Sequence, residues 1–96
     1  MSILVQLEVK AKPECVEEMS SFLADIFPDT RAYDGCIDIQ AYLNEDGCTI
    51  VFVEHWLSRE HYQKYLAWRE ASGSLAALGP FLQGPPEIRY FQAIDA

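Results

Sequence analysis

Thr49 to Leu57, read TIVFVEHWL, decides how the chain folds. The stretch is dense in β-branched and aromatic residues, which suit a pleated surface, so it predicts a strand long enough to sit inside a sheet. Side chains alternate between the faces of a strand. Val51, Val53, His55 and Leu57 share one face, and Ile50, Phe52, Glu54 and Trp56 share the other. Neither face is plainly polar, so both need cover. The first face is expected to take helices of the same chain. The second carries a carboxylate and an indole among apolar groups, and is expected to meet a partner or a ligand.

Working outward, Asn44-Glu45-Asp46-Gly47 reads as a hairpin turn. It joins the central strand to one over Cys36–Leu43, with Ile37, Ile39, Ala41 and Leu43 on an apolar face and Asp38, Gln40 and Tyr42 opposite. Ile3 to Ala11 also alternates, with Ile3, Val5, Leu7 and Val9 against Gln6, Glu8 and Lys10. Between these strands Pro13 opens a helix whose apolar stripe runs through Val16, Met19, Phe22, Leu23, Ile26 and Phe27. Pro28 is expected to break or kink it near Phe27, and Gly35 to end it. Downstream, Ser58 caps a second helix reaching about Ser72, with Tyr62, Tyr65 and Arg69 on one stripe and Gly73 as its stop. A short apolar turn follows, then Gly84-Pro85-Pro86 and a last strand over Ile88–Ile94.

The order β-α-β-β-α-β predicts one domain over residues 1–96. Its fold class is α+β: a ferredoxin-like four-stranded antiparallel sheet with both helices on one face. The other sheet face, expected to hold Phe52, Trp56 and the aromatic last strand, is too apolar for water. Two chains packing sheet to sheet as a homodimer would cover it.

The chain has 96 residues, 50% hydrophobic and 23% charged, which fits a globular domain and not a disordered one. Fifteen acidic against seven basic residues give a net charge of -8. No basic cluster appears, which argues against nucleic acid and against an anionic membrane surface. The three cysteines show no paired metal-ligand spacing, so neither a disulfide framework nor a metal site is expected. MSILVQLEV reads as a strand and not as a signal peptide, and no apolar run approaches the roughly 20 residues of a membrane span. A cytoplasmic protein is the expectation.

Glu54 is the most diagnostic side chain. A carboxylate between Phe52 and Trp56 is costly to bury unpaired. Arg31, Arg69 or Arg89 could answer it as a structural ion pair; otherwise it is a base with a raised pKa. His55, on the presumed helix side, reads as a hydrogen-bonded core histidine, and His61 as exposed. Two such histidines form no metal constellation.

Three segments carry a family resemblance. Thr30-Arg31-Ala32-Tyr33-Asp34-Gly35-Cys36 resembles the junction between first helix and second strand in the antibiotic biosynthesis monooxygenase family. Glu54-His55-Trp56-Leu57-Ser58 is similar to that family's strand-to-helix passage, and Gly84-Pro85-Pro86 to its lead into the last strand. The resemblance implies a dimeric α/β barrel. In members that oxygenate anthrones or quinols, it implies chemistry without flavin, haem or metal: the substrate anion itself passes an electron to O₂. Trp56 and Tyr62 match aromatic cavity positions, and Tyr42 stands where some members carry His. The sequence departs from the pattern at two places. The amide near the end of the first strand has Gln6 as its nearest counterpart, and the second-helix His is Tyr65.

The expected site therefore has Glu54, Trp56 and Tyr62 in catalytic roles, with Tyr42, Phe52, Tyr65, Arg69 and Gln6 binding a small aromatic or hydrophobic ligand. Three readings stay open: a cofactor-independent monooxygenase, an isomerase or other proton-transfer enzyme, and a non-catalytic ligand-binding barrel.

Overall fold

Which side of the sheet meets the helices is settled by alternation and register together. In the computed structural model, which describes residues 2–96, strand β1 (Ile3–Lys10) buries Val5, Leu7 and Val9 and leaves Gln6 and Glu8 half-buried. It runs antiparallel to β3 (Thr49–Trp56), with Val5 opposite Glu54, Leu7 opposite Phe52 and Val9 opposite Ile50. Opposed residues of an antiparallel pair share a face. Ile50, Phe52, Glu54 and Trp56 therefore lie on the same side as the buried residues of β1, and all four are buried.

That side carries the helices. Phe27 of α1 (Val16–Ala32) meets Phe52 edge to face at 5.5 Å between ring centroids. Tyr62 and Tyr65 of α2 (Arg59–Ser72) pack on Trp56 at 5.5 and 5.0 Å. The expected assignment of the two faces of β3 is thus inverted. Val51, Val53 and His55 take the other face, and on the helix side the Trp56 indole donates a hydrogen bond to the Glu54 carboxylate.

The sheet has the order β2-β3-β1-β4, with β2 spanning Cys36–Leu43, β4 spanning Glu87–Phe91, and every neighbouring pair antiparallel. With the two long helices on one face, this is the expected ferredoxin-like arrangement. An irregularity between Cys36 and Asp38 interrupts the alternation of β2. Ile37 is left exposed there and Leu43 is exposed at the far end, so of the expected apolar face only Ile39 is fully buried and Ala41 half-buried.

Pro28 does not break α1, which continues to Ala32. The ring removes one hydrogen bond, but Phe27 and Thr30 on either side of it are buried, and the packing they make holds the last turn in place. A 3-10 turn at Pro13–Cys15 precedes the helix. Gly35 comes two residues after the helix cap at φ +92°, and a Cβ there would lie 2.5 Å from His61. Its hydrogen therefore serves a close approach between chain segments as well as a left-handed backbone.

The Ser58 hydroxyl caps α2, accepting from the His61 amide at 3.2 Å, and Gly73 at φ +84° ends it. A short helix, α3 (Ser74–Leu78), and a 3-10 turn at Gly79–Phe81 lead back toward the sheet. The Gln83 side chain donates to the Ala11 carbonyl at 2.8 Å, tying this segment to the end of β1. In the β2–β3 turn the Asp46 carboxylate accepts from the Thr49 hydroxyl and from the Cys48 and Thr49 amides, which hold its pKa down to about 2.

The other sheet face carries no helix. Its rows, read from β4 to β2, are Phe91-Leu4-His55-Asp38, then Arg89-Gln6-Val53-Gln40, then Glu87-Glu8-Val51-Tyr42. Apolar and polar groups are mixed along it, and Arg89 bridges to both Glu8 and Glu87. Among the described residues no helix is long and apolar enough to cross a membrane.

Candidate functional site

A cavity of about 500 Å³ opens between the helix-bearing face of the sheet and the three helices. That volume suits a small-molecule ligand. Its wall is mostly apolar, with Phe27, Ile39, Phe52 and Leu78 prominent, and Pro85 and Pro86 complete it before β4. Six polar side chains interrupt this lining: Glu54, Tyr62, Tyr65, Arg69, Ser74 and Gln83.

Glu54 is 2% exposed. Its Oε1 accepts a hydrogen bond from the Trp56 indole Nε1–H at 3.0 Å, two residues along the same face of β3. Burial pushes the carboxyl up from 4.5 to about 7, against the smaller downward pull of the indole bond. No basic group lies within ion-pair distance among the described residues. The expected structural ion pair is therefore overturned. Arg31 donates to the Ile39 carbonyl at 3.2 Å, Arg89 sits on the other sheet face, and Arg69 serves a separate network.

That network joins α1 to α2. Arg69 Nε donates to the Tyr65 hydroxyl at 2.9 Å, and Arg69 Nη2 donates to Thr30 Oγ1 at 2.8 Å and to the Ile26 carbonyl at 2.7 Å. The Tyr65 and Thr30 hydroxyls meet at 2.6 Å. Four residues separate Tyr65 from Arg69, which stacks them on one helix face. Burial raises the pKa of Tyr65, and the bonds to Thr30 and Arg69 oppose the rise. Tyr62 is raised as well, first by burial and then by the nearby Glu54 charge.

The structure thus brings Glu54, Tyr62, Tyr65, Arg69 and Phe52 to one cavity. Trp56 is fully buried and adds no surface to the wall; it stands behind Glu54 and holds it. Tyr42 and Gln6 do not join the group. They lie opposite Val51 and Val53 on the helix-free face, on the far side of the sheet from Glu54. His55 is there too, not in the core, with Nδ1 at 2.7 Å from Asp38. His61 is half-buried, its Nδ1 at 2.6 Å from the Ser58 hydroxyl.

Thr30 and Ser74 are missed by the sequence reading. Thr30 follows Ile26 by four residues on a helix already seen as amphipathic, and that spacing is its one signal. Among the described residues no three His, Cys, Asp or Glu side chains converge as metal ligands would. The cavity offers a buried carboxyl with its pKa raised to about 7, apolar walls and a guanidinium.

No curated protein is detectably similar to the chain. Solved structures are. Rv0793 from Mycobacterium tuberculosis superposes with a TM-score of 0.85 at 22% identity, covering 100% of this chain and 98% of that one. A conserved protein from Methanosarcina mazei Go1 gives 0.86 at 20% identity, over 96% and 92%. An antibiotic biosynthesis monooxygenase gives 0.86 at 15% identity, over 97% and 99%. At such identities the likeness is one of fold. The sequence itself goes further: residues 2–76 match the family profile described as antibiotic biosynthesis monooxygenase. With that match running from β1 into α3, and the fold agreeing over the whole chain, the protein belongs to the antibiotic biosynthesis monooxygenase family.

Proposed function

We propose that this protein is a cofactor-independent monooxygenase acting on a small aromatic substrate of the quinol or anthrone type, bound in the cavity between sheet and helices. The observation that carries the reading is Glu54: a carboxyl held near pKa 7 in an apolar wall, with no cation to neutralise it. A base needs a pKa near the working pH, and this one has it. Glu54 takes the acidic proton of the ring system, leaving a delocalised enolate or phenolate. That anion passes an electron to O₂, one oxygen atom joins the ring carbon, and the second leaves as water to give the quinone. The apolar walls exclude water from the intermediate. Trp56 orients the base, and Tyr62, Tyr65 and Phe52 flank the ring. A second copy of the chain covers the helix-free sheet face, where Tyr42 and Gln6 then serve the interface and not the substrate.

Incubation with a panel of anthrones and quinols in air tests the reading, with O₂ uptake and the quinone spectrum followed for wild type and Glu54→Gln. Uptake well above the spontaneous rate, lost in Glu54→Gln, is expected. Uptake no faster than the spontaneous rate across the panel contradicts it. The same buried carboxyl also favours a second reading, simple proton transfer on a carbonyl compound. Anaerobic exchange of substrate hydrogen for solvent deuterium, with turnover unchanged by O₂, would select that alternative.

A further inference from the structure

Arg69 is 4% exposed, yet no carboxylate among the described residues lies within ion-pair distance of it. Its hydrogen-bond partners are all neutral: the Tyr65, Thr30 and Ser74 hydroxyls and the Ile26 carbonyl. A guanidinium taken this far out of water ordinarily has an anion beside it. The face of Trp68 at 4.6 Å offers partial compensation through its π-system.

The shortfall is local. Nε and Nη2 make bonds of 2.7–2.9 Å, but Nη1 reaches only Ser74 Oγ, at 3.4 Å, near the limit of a hydrogen bond. A guanidinium has five N–H donors, so at least one on Nη1 is unused. Arg69 and Ser74 both line the cavity, next to Leu75 and Leu78. A buried cation with an under-used donor edge thus belongs to the wall of an apolar chamber. The chain's net charge of -8 gives no long-range attraction for anions, so any preference for one must come from this wall.

We infer that the Nη1 edge of Arg69, with Ser74 beside it, is an anion subsite, and that the cavity takes a flat aromatic molecule bearing a carboxylate. The carboxylate sits on Arg69 and the ring against Phe27, Phe52 and Leu78. The inference rests on the cavity being the binding site, as in the proposed function, and adds the class of compound that fills it.

Calorimetric titration of the full chain with 2-naphthoate and with its neutral isostere 2-naphthamide tests this without turnover. At pH 6, below the Glu54 value of about 7, the acid is expected to bind about 10-fold or more tightly than the amide, as a charge-assisted hydrogen bond would give. Arg69→Gln should abolish that preference. Because Arg69 also ties α1 to α2, a second readout uses wild type alone: naphthoate should shift the Nε–H nuclear magnetic resonance signal of Arg69 and spare those of the exposed arginines. Failure of the acid to bind, equal binding of acid and amide, or an unmoved Arg69 signal would each overturn the subsite. A strong acid preference in a chain that consumes no O₂ would leave the subsite standing and sink only the oxygenase reading.

Discussion

The Trp56 indole donates to the Glu54 carboxylate at 3.0 Å across the two-residue repeat of β3, and both side chains are withdrawn from solvent. One residue supplies the titrating group and the other fixes its direction. The Glu54 pKa is the balance of burial, which raises it, and this bond, which lowers it.

The first consequence is a stability that falls as pH rises. Below pH 4.5 Glu54 is protonated in both folded and unfolded chains and contributes no penalty. Between 4.5 and about 7 the unfolded chain gives up the proton while the folded chain keeps it, so folding weakens with pH; above about 7 the penalty is complete. The shift corresponds to about 3 kcal/mol. Glu54→Gln, which keeps an acceptor for the indole, should therefore be more stable than wild type at pH 8 by up to about 3 kcal/mol. The two should converge below pH 4.5 in urea unfolding series.

Trp56→Phe keeps an aromatic ring against Tyr62 and Tyr65 but removes the donor. The ionised form of Glu54 then loses its hydrogen bond, and the pKa should climb by about one pH unit or more. The pH at which the infrared band of the protonated carboxyl disappears reports this directly. An unchanged transition would mean that the indole does not hold the carboxylate.

Tyr65→Phe removes a hydroxyl placed between Thr30 and Arg69. Two buried partners lose a bond, and stability should fall by about 1–3 kcal/mol. Thermal unfolding of Tyr65→Phe and Thr30→Val, alone and combined, should show losses that do not add, because the two side chains share one network.

The element order was legible because each strand and helix carries its own signals: Ser58 and Gly73 at the ends of α2, Asp46-Gly47 in the hairpin, alternation in β1. The sides of β3 were not. Both of its faces are rich in apolar groups, so composition alone favoured putting Val51 and Val53 inside and Glu54 outside. The register with β1 reverses this, and no local pattern in β3 reveals it. Tyr42 and Gln6 keep the faces read for them, and the same reversal parts them from Glu54. The Arg69–Tyr65–Thr30 network needs two helices brought together, with Thr30 and Arg69 39 positions apart, and helix spacing reveals only its Tyr65–Arg69 half.

The helix-free face supplies a prediction about assembly. Val53 lies at its centre, between Gln6 and Gln40, and the face is covered by a second copy in the proposed function. Val53→Glu should place a charge in that interface and yield a monomer in sedimentation velocity, with wild type sedimenting as a dimer. A monomeric wild type would remove the proposed partner.

In the proposed function the cavity's carboxyl, Glu54, exchanges a proton near neutrality. Carbon-13 resonance of glutamate-labelled protein, with Glu54 assigned by comparison with Glu54→Gln, measures that carboxyl as pH is varied. A midpoint near 7 is predicted, moving when a ring-bearing ligand enters the cavity. A midpoint near 4.5, the value of an ordinary glutamate, would rule out this role, because Glu54 would then be too weak a base for the proposed chemistry.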